Sequence, residues 1–70
     1  MDIKTLLRQI MVRKHVKVGE LAERCGRAPR SLSTLLASKN SIRVDTLEEL
    51  AGALDCDVVL RDRKSGEVYR

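Results

Sequence analysis

Seventy residues hold one hydrophobic core at most. At 43% apolar and 34% charged, the chain is too apolar for disorder and too charged to live in a membrane. Phe and Trp are absent and Tyr69 is the sole aromatic, which excludes a stacking platform for single-stranded nucleic acid. Cys25, Cys56 and His15 are too few for a zinc module or a disulfide scaffold, so neither metal nor cofactor is expected.

The net charge of +4 is unevenly spread. Residues 1–43 carry ten bases against three acids, net +7, while residues 44–70 carry four bases against seven acids, net −3. A basic first part points to a polyanionic partner, with nucleic acid the leading candidate. Solvated helix faces are the plainer alternative. Charges interrupt every apolar run of the N-terminal segment, so neither a signal peptide nor a spanning helix is expected. No membrane partner is expected either, and two cysteines without secretory context suggest reduced thiols in a cytoplasm.

In chain order, Ile3, Leu6, Leu7, Ile10 and Met11 recur at helical spacing, with Lys4, Arg8 and Arg13 placed opposite. This predicts a first helix from Ile3 to Lys14. The pattern resumes from Val18 to Cys25, with Lys17 as cap, Val16 stapled to Leu21, and Gly26 ending the helix in a left-handed conformation. Pro29 suits the first position of a third helix, running to about Ala37 and burying Leu32 and Leu35. After turn chemistry at Ser38-Lys39-Asn40-Ser41, Asp45 and Glu48 open a fourth helix that aligns Leu47, Leu50, Ala51 and Leu54. The period then changes. Asp57-Val58-Val59-Leu60-Arg61, a Lys64-Ser65-Gly66 turn and Glu67-Val68-Tyr69 predict a C-terminal β-hairpin. The expected fold is mainly α: four short helices with that hairpin, divided as residues 1–56 and 57–70.

The second and third helices, joined at Cys25-Gly26-Arg27-Ala28, form a helix-turn-helix candidate. The third shows Arg30, Ser33, Thr34 and Ala37 on its outer face, small or polar residues with one guanidinium. A helix of that profile can enter a major groove. An ordinary helical hairpin with a polar outer face is the plainer alternative. Val16 through Gly26, continued by Leu32-Ser33-Thr34-Leu35, resembles the XRE/Cro/lambda-repressor-like helix-turn-helix family. The family shows a Leu-Ala pair in helix two, Gly at the turn, and Ile/Leu followed by Ser in helix three. Asp45 through Leu54 resembles its next helix, so the similarity covers roughly residues 3–54.

The resemblance implies a lambda-repressor-like bundle and operator binding, commonly as a dimer. It places Pro29, Arg30, Ser33 and Thr34 where the family reads base edges, and Arg30 suits a two-pronged grip on guanine. It places Arg27, Lys39, Asn40 and Arg43 at the phosphate-contacting turns. Two departures stand out. The family prefers Ser, Thr or Asn at the position of Lys17, and at Val18 a Gln that clamps a phosphate; Val18 cannot, which leaves Lys17 as the cation there. Many members also pair an Arg in helix one with a Glu late in helix three. Here those positions hold Met11 and Leu36; both halves are apolar together, which points to a hydrophobic contact in place of the ion pair, with two solvent-facing side chains as the plainer alternative.

The remaining signals are weak: His15 reads as a helix-end residue, Cys25 as an inert core thiol, and no serine or threonine has a partner base. The expected function is sequence-specific double-stranded DNA binding by a small transcriptional regulator, a repressor acting by promoter occupancy, and not an enzyme. A homodimer is expected through residues 57–70, because Val58-Val59-Leu60 is apolar on both faces. The rivals are an antitoxin whose C-terminal segment binds a toxin, and a protein-interaction module on the same fold that does not bind DNA.

Overall fold

Asp2 starts the first helix. In the computed structural model, which describes residues 2–70, its carboxylate accepts from the Lys4 N–H at 3.2 Å and from the Thr5 hydroxyl at 3.1 Å. Four helices follow, α1 (Ile3–Arg13), α2 (Val18–Cys25), α3 (Pro29–Ala37) and α4 (Val44–Ala53), then two short strands, β1 (Leu60–Arg61) and β2 (Val68–Tyr69). The mainly helical fold with a terminal hairpin is the one read from the sequence.

Three of the helices end in the same way. His15, Gly26 and Asp55 take left-handed backbone, at φ 57°, 70° and 57°. In each case the next residue donates back five positions, Val16 to Met11, Arg27 to Ala22 and Cys56 to Ala51, all at 2.8 Å. This 6→1 closure satisfies orphan carbonyls and turns the chain sharply. Only Gly26 adopts it without a Cβ penalty. His15→Gly is therefore expected to stabilise the chain by about 1 kcal/mol. Thermal denaturation should show a rise in Tm of about 4–8 °C, and an unchanged or lowered Tm contradicts it.

The core is aliphatic. Leu21, Leu32, Leu50 and Leu54 are fully enclosed, joined by Leu7, Met11, Val16, Ala22 and Leu36. Val16 and Leu21 are both buried in this core, Lys17 is the cap residue of α2, and Pro29 stands at the start of α3. Helix three differs in detail: Leu36, with Leu32, is buried, and Leu35 is only half-buried. Met11 and Leu36 are 5% and 4% exposed and line one groove with Val12, Val16 and Val18, so both face the interior.

A second difference concerns Lys4, expected opposite the apolar face and found buried. The buried stripe of α1 runs through Lys4, Leu7 and Met11, with Ile3, Leu6 and Ile10 to one side. Bare carbonyls at the end of α3 supply the reason, because they need a donor that no apolar side chain provides.

The hairpin is shorter than expected, since Asp57, Val58 and Val59 do not pair. Leu60 faces Tyr69 and Arg61 faces Val68 in antiparallel register. Its turn is wider than Lys64-Ser65-Gly66 and hangs on Asp62, whose carboxylate accepts from the Lys64 and Ser65 N–H groups at 2.8 and 3.2 Å. Those two bonds hold the Asp62 carboxyl below its ordinary value. The anchor is thus present above the unfolded carboxylate value and is lost only as pH falls through the lowered one. The hairpin projects: the radius of gyration is 12.9 Å, against about 11 Å for a compact chain of this length.

Candidate nucleic-acid interface

Helix α3 presents Arg30, Ser33, Thr34 and Ala37 to solvent at i, i+3, i+4 and i+7, while Leu32 and Leu36 anchor its other side. Concave surfaces flank this ridge. On one flank Ser33 shares a groove of 440 Å³ with Arg8, Lys17 and Val18. On the other, Thr34 shares a groove of 360 Å³ with Ser31, Asn40, Ser41, Arg43 and Thr46. A convex polar helix between two hollows with cations at their edges is the shape that a duplex groove and its two backbones require.

The N-termini of α2 and α3 beside this ridge carry no side-chain cap, while in the first turn of α4 the Asp45 carboxylate accepts from the Thr46 N–H at 2.9 Å. Lys17, Ala28 and Arg43 are the cap residues of α2, α3 and α4, and none makes a side-chain capping bond. By contrast, α1 is capped by Asp2. Uncapped amides at the positive ends of helix dipoles favour anions.

The basic residues divide into two groups. Lys4, Arg8, Lys14 and Arg24 are turned onto backbone carbonyls: Lys4 on Ser38 and Asn40, Arg8 on Leu36 at 2.7 Å, Lys14 on Leu54 at 2.6 Å and Arg24 on Ala53 at 3.0 Å. Each of these carbonyls lies at or just beyond the end of α3 or α4, so the four cations neutralise the negative ends of those helices. Arg27 is also engaged, with Nε 3.1 Å and Nη2 3.3 Å from the two oxygens of Glu49. That pairing raises the Arg27 guanidinium above its ordinary value.

Of the ten bases in residues 1–43, Arg13, Lys17, Arg30 and Lys39 make neither an ion pair nor a side-chain hydrogen bond among the described residues. Arg43 has only a loose contact, 3.5 Å to Asp45, with both side chains exposed. The expected base-reading residues Pro29, Arg30, Ser33 and Thr34 therefore share one exposed helix. Lys17 stands on one flank and Asn40 and Arg43 on the other, with Lys39 exposed on the same turn. Arg27 stands apart, held by α4.

The cation caps escape pattern reading because they look like ordinary surface charge. One signal was present: Lys4 lies seven residues before Met11, on the same stripe. Cys25 is half-buried, and its thiol is pushed up by burial and by Glu49, with Arg27 opposing, so it stays protonated at neutral pH.

Among the described residues, no helix is long and apolar enough to cross a membrane. No curated protein and no solved structure is significantly similar to the chain. Residues 6–59, which take in the helix-turn-helix and α4, match the Cro/C1-type HTH DNA-binding domain, and the chain belongs to that family.

Proposed function

We propose that the protein is a cytoplasmic, non-enzymatic transcriptional repressor that binds a specific duplex site with α3 in the major groove. The supporting observation is the exposed, unpaired Arg30 on a ridge of small polar residues, flanked by grooves that carry Lys17 and Arg43. Arg30 with Pro29, Ser33 and Thr34 reads base edges, and Lys17, Lys39, Asn40 and Arg43 hold phosphates. Arg27 joins the phosphate contacts on leaving Glu49, an exchange that costs little for a half-exposed pair.

The number of phosphate-holding cations sets the salt dependence. Binding of a mixed-sequence duplex, followed by fluorescence anisotropy, should weaken with salt at a log–log slope of about −3 to −4 per chain if Lys17, Arg27, Lys39 and Arg43 all hold phosphates. A slope near zero contradicts the reading.

The division into a DNA-binding part, residues 1–56, and a pairing element, residues 57–70, rests on the hairpin surface. Val58, Val59, Leu60, Val68 and Tyr69 are all exposed, Leu60 by 76%. Two strands of two residues cannot cover that surface themselves. A second copy supplies an equal surface and a strand edge, and a two-fold axis there carries two α3 helices to major grooves about 34 Å apart. Equilibrium sedimentation should find a dimer for the full chain at tens of micromolar and a monomer once residues 57–70 are deleted. A dimer that survives the deletion contradicts the assignment. A monomeric full chain leaves the surface to another protein, and a toxin there makes the chain an antitoxin.

A further inference from the structure

We propose that Lys4 is a positioning residue for phosphate contact: from α1 it aims the backbone amides of Lys39 and Ser41 at the duplex. The inference rests on the DNA-binding reading above. Lys4 is 7% exposed, yet no carboxylate pairs with it. Its ammonium instead donates to the carbonyls of Ser38 and Asn40, 34 and 36 residues along the chain. Burying an ammonium without a counter-charge is unfavourable. Leu7 and Met11 on the same stripe show that an apolar side chain suits this face of α1. What a lysine does there and a leucine cannot is hold two alternate carbonyls inward.

The consequence follows from peptide geometry. A trans peptide points its N–H opposite to its C=O, and among the described residues there is no cis peptide bond. Drawing the Ser38 carbonyl toward α1 turns the Lys39 N–H away from it, and drawing the Asn40 carbonyl inward does the same for Ser41. The intervening Asn40 N–H is occupied, donating to Ser38 Oγ at 3.0 Å. The Lys39 and Ser41 N–H groups have no partner among the described residues. Both residues are exposed, and Ser41 and Asn40 line the groove that Thr34 and Arg43 share. Two outward amides beside the Lys39 ammonium form an oxygen-binding edge suited to a backbone phosphate. Arg8, one turn along α1, fixes the end of α3 through the Leu36 carbonyl at 2.7 Å. The phosphate-binding turn and the recognition helix are thus set from one element, and a phosphate held at the turn fixes how α3 lies in the groove.

The test is an amide-resolved NMR titration of the full chain with a mixed-sequence DNA duplex, run on wild type, Lys4→Met and Lys4→Arg. In wild type, the Lys39 and Ser41 amide protons should move downfield as duplex is added. Lys4→Met should keep the dispersed spectrum of the folded chain, lose those two shifts and bind about tenfold more weakly. Lys4→Arg, which keeps the donors, should retain the shifts and most of the affinity. Wild type that binds with neither amide moving overturns the proposal, and this result stands even if Lys4→Met does not fold. So does a folded Lys4→Met that binds like wild type. Wild type that binds no duplex at all overturns the DNA-binding reading instead.

Discussion

Met11→Arg is expected to destabilise the chain by about 3–5 kcal/mol, the cost of an unpaired charge in the interior. Met11 is 5% exposed, and its core neighbours Leu7, Val16, Leu21 and Leu36 are all apolar. A guanidinium there finds no carboxylate and must either strip its water or pull α1 away from the core. Small domains bury a small share of their surface, so a loss of this size takes most of their stability. Leu36→Glu alone should be damaging for the same reason, since Leu36 is 4% exposed. Together the two changes install the Arg–Glu pair that the family resemblance implies for these positions and should recover part of the loss. Urea denaturation of the four proteins in the cycle should give a coupling of about 0.5–3 kcal/mol. A Met11→Arg variant as stable as wild type contradicts the apolar contact.

Arg30→Ala is expected to weaken binding to the preferred duplex by about 1–3 kcal/mol and to relax preference at one base position. The guanidinium is exposed and has no acidic partner, so no internal bond must break before it meets a base. It also lies well outside the core, so the fold should be unaffected. Lys39→Ala should behave differently, weakening all duplexes alike and flattening the salt slope by about one. An Arg30→Ala variant that selects the same sequences as wild type contradicts the assigned orientation of α3.

Much of this was legible in the residues. The 3.6-residue period of Leu21, Ala22 and Cys25, the Gly26 stop and the Pro29 start define the helix-turn-helix because each acts locally on the backbone. The outer face of α3 was legible for the same reason, as the remainder once Leu32 and its neighbours are assigned to the core. Lys4, Arg8, Lys14 and Arg24 were not, because their partners are backbone carbonyls 28 to 40 residues away, which carry no side-chain signature. Their removal from the open surface changes the meaning of the basic first part: half of its cations hold the bundle together or pair with Glu49, and the remainder face outward. The hairpin was overestimated for a related reason. Val58 and Val59 have strand-like side chains, but Asp62 and Gly66 set the turn so that only Leu60 and Arg61 find partners.

The most direct test of the account is selection of bound sequences from a random duplex pool by the full chain at two salt concentrations. Phosphate contacts weaken steeply with salt while base contacts persist. One enriched motif that sharpens at the higher salt is expected, arranged as a near-palindrome with half-sites about one helical turn apart. A pool that is bound at low salt without any enriched motif, or that is not bound at all, contradicts it.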